Sequence, residues 1–130
     1  MAALSDHAEK LILDWMMTAG TATRPTAWYV ALYTAAPSDA GGGTELTGSG
    51  YAREAVAFAA ATSGAGTTSN TGAVIFTADG GDWGSVTHMG IHDASSGGNL
   101  IWHGALAAAK TVADGDTLEF AVGNIDLTVA

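Results

Sequence analysis

Cysteine is absent from this chain, and charged residues make up only 13% of its 130 residues. Without cysteine, the chain can form no disulfide, has no thiolate nucleophile and builds no cysteine zinc site. Charged residues normally account for about a quarter of a globular protein. The surface must therefore consist largely of Ser, Thr, Gly, Ala and backbone.

Cations are the scarcest group. Lys and Arg total 4 against 13 Asp and Glu, which gives a formal net charge of −9. So few cations argue against non-specific nucleic-acid binding and against attraction to an anionic membrane surface. No apolar run is long enough to span a bilayer. The acidic start, MAALSDHAEKL, breaks its apolar run early and does not resemble a signal peptide.

The length and the 48% share of apolar residues predict a globular chain that can bury its own core. The segment 1–20 is predicted to contain a helix, and 21–130 to form a single β-sandwich domain. The helix is expected from Ser5 to Ala19, with Ser5 or Asp6 as N-cap and Gly20 as the stop. Its apolar stripe comprises Leu4, Ala8, Leu11, Ile12 and Trp15.

Two interpretations of that stripe stay open. The favoured one is that it covers one face or end of the chain's own sheet, as most amphipathic helices do. In the other, the helix docks on a partner subunit, and Leu11 and Trp15 are then its candidate contacts.

After Pro25 the apolar period changes from helical to alternating. Trp28, Val30 and Leu32 fall on one face of the first strand, and Trp28 and Trp102 are predicted to be core residues. About seven or eight short strands separated by turns predict a mainly β fold, an antiparallel sandwich or jelly-roll-like domain after one amphipathic helix. The predicted strands cover 26–34, 51–59, 73–77, 86–93, 100–106 and two segments after residue 117.

A Gly-rich loop, Ala35 to Gly50, interrupts these strands. Loops of this length are usually functional or mobile. We expect it to reach over a neighbouring subunit or the shell beneath and to become ordered on assembly, with Glu45 as the polar and Leu46 as the apolar anchoring contact. The alternative is that it folds back on its own sheet.

Candidate metal ligands are few. A hairpin centred in ASSGGN would pair His103 near Gly90, within reach of His88 and His92 on the same face. A three-imidazole zinc site is conceivable there, but three polar residues on a sheet surface are the favoured interpretation. The acidic turns containing Asp79, Asp82, Asp114 and Asp116 fit calcium in principle, although Asp and Gly are ordinary turn residues. We therefore predict no metal and no cofactor.

Motifs of catalysis are also missing from the sequence. There is no nucleophile elbow, no phosphate-binding loop ending in Lys and no HExxH pattern. Glu45 and Glu54 could serve as paired carboxylates, but nothing fixes their separation. We expect a protein that is not an enzyme and has no catalytic residue.

Several short motifs follow one another in a definite order along the chain. They are the Leu-Ser-Asp start, VALYT, a Gly-rich loop with TE, GYAR, DWGSVTH, GGNLIWHGAL and GDTLEF. As a set they resemble a family of small tailed-bacteriophage virion proteins, often labelled tail fibre proteins. The resemblance covers nearly the whole chain, implies a virion component and supplies no catalytic residue.

The resemblance and the composition together predict a structural virion protein assembled in the host cytoplasm. The negative charge favours a place outside the packaged DNA. The expected function is a capsid decoration or cement protein, because no receptor domain or repetitive shaft is visible. A tail-fibre, tail-tip or collar adaptor is the alternative, and a carbohydrate-binding module is the second alternative. Expected partners are copies of the chain itself, as a trimer, and major capsid or tail proteins, with no nucleic acid and no membrane.

Overall fold

A computed structural model of the chain describes residues 2–61 and 64–129. Within these ranges lie one helix and ten strands, all paired antiparallel. The mainly β fold with a helix near its start is therefore confirmed, with more strands than the seven or eight predicted. The elements are β1 (Ala2–Leu4), α1 (Asp6–Met17), β2 (Tyr29–Ala35), β3 (Thr44–Glu45), β4 (Glu54–Ala55), β5 (Thr67–Ser69), β6 (Val74–Thr77), β7 (Gly84–His92), β8 (Leu100–Val112), β9 (Thr117–Phe120) and β10 (Asp126–Thr128). Residues 1 and 130, the two outer ends of the predicted segments 1–20 and 21–130, lie outside the described ranges, as do residues 62 and 63.

The helix begins where the sequence predicts and ends two residues earlier than expected. Ser5 is the N-cap, and its Oγ accepts a hydrogen bond from the backbone N–H of Ala8 at 3.2 Å. Thr18, in an extended conformation, ends the helix before Gly20 is reached. Leu4 does not belong to the helical stripe, because it pairs with Trp102 in the short strand β1.

The largest sheet has the strand order β1-β8-β7-β2-β3, with β4 beside β2. Its centre is the hairpin of β7 and β8, in which Gly90 pairs with His103 as the turn position predicts. Two ribbons complete the fold, β5 with β10 and β6 with β9.

The core contains apolar side chains from the large sheet and from both ribbons. Val30, Leu32 and Ile91 of the sheet are fully buried, and they share one cluster with Phe76 of β6 and Leu127 of β10. Val30 and Leu32 of β2 are thus buried as the alternation predicts, but Ala31 and Tyr33 on the opposite face of the same strand are buried as well.

Burial of the two predicted core tryptophans differs. Trp102 is in the core at 9% exposure, which confirms that prediction. Trp28 is only partly buried and packs against the edge of the cluster, because it lies just before β2 begins. The predicted strand over 51–59 is shorter than expected: only Glu54–Ala55 pairs as a strand, and Phe58 adds an isolated bridge to Asn70.

The Gly-rich loop folds back on its own sheet. Thr44 and Glu45 form β3 against β2, and the Leu46 N–H donates to the carbonyl oxygen of Leu32 at 3.0 Å. Leu46 is 8% exposed and belongs to the core. A buried Leu46 and a paired β3 thus tie the second half of the loop to its own sheet, and contact of the loop with a neighbouring subunit stays a prediction.

Candidate functional site

Arg53 is at the centre of a polar cluster where three separated segments of the chain meet. Its side chain is only 8% exposed. Its Nε donates to Oε2 of Glu45 and its Nη2 donates to Oε1, both at 2.8 Å. This two-bond arrangement is the strongest geometry available to an arginine and a carboxylate.

The third nitrogen of the same guanidinium binds the turn between β7 and β8. Arg53 Nη1 donates to the carbonyl oxygens of Ala94 at 2.9 Å and Gly97 at 2.8 Å. We call Arg53, Glu45, Tyr51 and these two carbonyls the polar clamp. It connects the TE, GYAR and GGN motifs, which are distant in sequence.

Tyr51 connects the clamp to the core. Its hydroxyl donates to Glu45 Oε2 at 2.7 Å and accepts from the Leu32 N–H at 3.1 Å. Its ring lies edge-on to Trp83, with centroids 5.7 Å apart, and stacks at 6.3 Å on Phe76. Burial, with a smaller contribution from the neighbouring Glu45 carboxylate, raises the pKa of Tyr51 well above its usual value. The hydroxyl therefore stays protonated and keeps donating to Glu45.

The clamp also sets the charge of Glu45. Burial by itself would raise the pKa of this carboxyl, but the hydrogen bonds from Arg53 and Tyr51 outweigh it, and the pKa is lowered. The same ion pair raises the pKa of Arg53, chiefly through the hydrogen bond to Glu45. Both groups are thus held in their charged forms at neutral pH.

A second polar pair, Tyr33 and His92, lies beside the clamp. The Tyr33 hydroxyl is 2.7 Å from His92 Nε2, and their rings stack with centroids 6.3 Å apart. Burial, reinforced by the charge of Arg53, lowers the pKa of His92. Among the described residues, the buried Nδ1 of His92 has no hydrogen-bond partner. The imidazole is therefore held neutral.

The turn that Arg53 grips is closed by Asp93 and Asn99. The Asn99 N–H donates to Asp93 Oδ1 at 2.7 Å, and its side-chain amide donates to Oδ2 at 3.0 Å. Burial by itself would raise the pKa of the Asp93 carboxyl, but the hydrogen bonds from Asn99 together outweigh it, and the pKa is lowered. The turn is thus held by hydrogen bonds between its own residues Asp93 and Asn99 and by the hydrogen bonds that Arg53 donates to it from another segment.

The three histidines considered as metal ligands share one sheet face, and each has a different partner. His88 Nδ1 is 2.8 Å from Thr87 Oγ1, His92 binds Tyr33, and His103 Nε2 is 2.7 Å from Asp39 Oδ1. Within 2–61 and 64–129, no group of three His, Asp or Glu side chains has metal-binding geometry. The predicted strand register is right, but the imidazoles point to separate neighbours.

The acidic turns do converge in space. The Gly80 N–H donates to Asp114 Oδ1 at 2.9 Å, and the Asp114 N–H donates to Asp82 Oδ1 at 2.8 Å. These carboxylates accept bonds from backbone N–H groups of the opposite turn, 32 and 34 residues away in the sequence. They therefore join the two turns to each other.

The four predicted contact residues fall into two groups. Glu45 is part of the polar clamp and Leu46 is buried in the core, so both are occupied within the subunit. Leu11 is half-buried, whereas Trp15 is 73% exposed. The helical stripe is thus split: its first half covers the chain's own sheet, and its last turn faces outward.

Sequence reasoning missed Arg53 and Tyr51. The available signal was the GYAR motif, which contains one of the four cations of the chain, next to a conspicuous TE in the loop. The motif alone does not identify a buried ion pair, because the other three cations, Lys10, Arg24 and Lys110, are exposed, and the partner of Arg53 depends on the sheet order.

The polar clamp and the acidic turns mark this chain as a small β protein whose polar groups hold loops in place. The model of the family described as Podophage GP4 fiber I protein gp80 matches residues 3–128. The chain belongs to this family, and it is a structural virion protein of a phage. A comparison with curated proteins gave no match. In the described part of the chain, no helix is long and apolar enough to cross a membrane.

Proposed function

We propose that this chain is a non-enzymatic structural subunit of a fibre on the outside of the phage particle. The family match over residues 3–128 supports the proposal, because the matched family is described as a fibre protein. The match covers nearly the whole described chain, so the fibre role is carried over to the whole subunit.

The polar side chains are consistent with such a role. Arg53, Glu45 and Tyr51 bind one another and the β7–β8 turn, so their hydrogen-bonding groups are used inside the subunit. An assembly subunit needs loops of fixed shape, because ordering a loop on contact costs conformational entropy. The clamp removes that cost before assembly.

The net charge of −9 supports a location away from packaged DNA. It is equally compatible with the capsid decoration or cement role, which remains the second candidate. The low share of charged residues, 13%, favours either role, since it suits close packing against protein neighbours.

Copy number and position on the particle separate the two candidates. Quantitative mass spectrometry of purified virions, with labelled antibody imaged by electron microscopy, gives both. If the chain is a fibre subunit, its copy number should be similar to that of tail proteins, and the antibody should label only the tail or its appendages. Label spread over the head at the abundance of the major capsid protein would contradict the fibre role and support decoration.

A further inference from the structure

The chain contains two Asp–Gly sequences, Asp79–Gly80 and Asp114–Gly115, one in each of the two acidic turns. Asp–Gly is the sequence at which a protein backbone isomerises most readily in water. No Cβ atom shields the amide nitrogen of the glycine, so this nitrogen can reach the carboxyl carbon of the preceding aspartate. All four residues are exposed, so water has access to both sequences.

The isomerisation has two steps and needs only water. In the first step, the glycine nitrogen attacks Cγ of the aspartate and closes a succinimide ring, while the amide proton and the carboxyl OH leave as water. In the second step, water adds to the main-chain carbonyl of the ring and breaks its bond to the nitrogen. The product is isoaspartate, whose main chain runs through Cβ and Cγ. Nothing is oxidised or reduced, and the water released is balanced by the water taken up.

Both glycine nitrogens are hydrogen-bonded in the folded chain. The Gly80 N–H donates to Asp114 Oδ1 of the other turn at 2.9 Å, and the Gly115 N–H donates to the carbonyl oxygen of Ala78 at 2.9 Å. A carboxylate acceptor makes the stronger kind of hydrogen bond and holds the proton on the nitrogen. Each nitrogen must therefore lose its partner before it can attack.

The two sequences differ in the group that shields them. Gly115 is bound by a backbone carbonyl, whereas the shield of Gly80 is a single side chain, that of Asp114. Asp114 is itself held in place, because its N–H donates to Asp82 Oδ1 at 2.8 Å. The bond that occupies the Gly80 nitrogen thus depends on one carboxylate that a single substitution removes.

We propose that Asp79 is a latent site of isoaspartate formation, and that the Asp114 carboxylate keeps it closed by binding the Gly80 N–H. Isomerisation would insert the Asp79 Cβ into the main chain between two anchored groups. One is the Asp79 N–H, which donates to the Ser49 carbonyl at 2.9 Å, and the other is the Gly80 N–H. The inference does not depend on the fibre role, because it concerns the covalent chain alone.

Ageing of purified variants tests the proposal. The chains are kept folded at one temperature and one mildly acidic pH, and peptide mapping with electron-transfer fragmentation measures isoaspartate at residue 79. Asp114→Ala should raise its rate of formation about ten- to hundredfold, the factor that a hydrogen bond to a charged group contributes to an equilibrium. Alanine is chosen because asparagine before Gly115 would itself deamidate.

Asp116→Ala is the matched control. Asp116 lies in the same turn, and its Oδ2 also accepts a backbone N–H, that of Ala113 at 3.1 Å. This variant loses a comparable bond of the turn but keeps the one to Gly80, so its rate should stay close to that of the natural chain.

Two further measurements establish the site and the chemistry. Adding Asp79→Ser to Asp114→Ala should abolish the isoaspartate signal. Ageing in H₂¹⁸O should place one ¹⁸O atom in residue 79, because hydrolysis of the succinimide takes its oxygen from water.

Three results would overturn the proposal. One is an equal rate in the natural chain and in Asp114→Ala, with both shown to be folded by circular dichroism. Another is an equal acceleration by Asp116→Ala, which would assign the effect to general loosening of the turn. The third needs no variant: rapid hydrogen exchange of the Gly80 amide in the natural chain would show that the shield is open. Failure of the fibre role would instead appear in the virion copy number, which these assays do not measure.

Discussion

Arg53 and Glu45 meet through two parallel hydrogen bonds of 2.8 Å, and the remaining guanidinium nitrogen binds two carbonyls of the β7–β8 turn. One side chain thus holds both the edge strand β3 and a turn in which Ala94 lies 41 residues after Arg53 in the sequence. A planar guanidinium can serve both because its five N–H donors point outward in fixed directions.

Arg53→Ala should therefore cost about 2–3 kcal/mol of unfolding free energy, since it strands the half-buried Glu45 and two turn carbonyls. The comparison variant is Lys10→Ala, which breaks the exposed pair with Asp14 and should cost about 0.3–0.5 kcal/mol. Urea unfolding followed by tryptophan fluorescence measures both. Equal losses would mean that the clamp contributes no more than a surface ion pair.

Acidification should destabilise the subunit in a range set by His92. Its pKa in the folded chain is lowered from 6.5 by burial and by Arg53. Below pH 6.5 the unfolded chain takes up this proton first, so stability falls with pH until the folded-state pKa is reached. Glu45 and Asp93 have lowered pKa values too, so their contributions are lost only at more acidic pH, below the ordinary values of 4.5 and 3.8.

The variant His92→Gln keeps a polar partner for Tyr33 and cannot be protonated. Its unfolding free energy should change less than that of the natural chain between about pH 7.5 and pH 5.5. Urea titrations at the two pH values give the comparison. An unchanged pH slope in the variant would assign the acid sensitivity to other groups.

The loss of unfolding free energy on replacing each of three tryptophans with Ala should increase with the burial of the side chain. Trp102→Ala should cost about 3–5 kcal/mol, because it empties a core position. Trp28→Ala, at the edge of the core, should cost about 1.5–3 kcal/mol. Trp15→Ala should stay within about 0.5 kcal/mol in dilute protein, since the side chain is exposed. A large loss for Trp15 would mean that this side chain packs within its own chain.

The two halves of the Gly-rich loop should differ in the rate of amide hydrogen exchange. The Leu46 amide donates to Leu32 inside the sheet and should exchange slowly in the isolated subunit. The Gly42 amide, near the exposed bend at Gly41–Gly43, should exchange fast. Mass spectrometry or NMR at fixed pH resolves the two. Fast exchange at both amides would show that β3 forms only on assembly.

A methyl group at Gly98 should loosen the turn that Arg53 grips. The residue has φ +70°, and an added Cβ would collide with the Asp93 carboxylate and lie 2.7 Å from the Ala94 Cβ. Gly97→Ala is the control, because its φ is similar at +63° and its Cβ would meet nothing within 4 Å. Thermal unfolding should show a larger loss for Gly98→Ala; equal losses would indicate backbone strain alone.

Local patterns in the sequence determined much of this fold. The N-cap Ser5, the alternation of Val30 and Leu32, and the turn in ASSGGN depend on residues close in the chain, so they could be read directly. The pairing of His103 with Gly90 followed from the turn alone, because a hairpin turn fixes its register.

Only the tertiary structure decided which distant groups meet. Arg53 reaches Glu45 and the β7–β8 turn because β2 lies between β3 and β7 in the sheet, and periodicity contains no information on strand order. The same holds for Leu46, whose place in the core requires the Gly-rich loop to turn back on β2. The same reason explains why Trp102 is buried and Trp15 is exposed. An apolar pattern indicates which side chains are stabilised by burial, but the packing of the other elements determines which of them are actually buried.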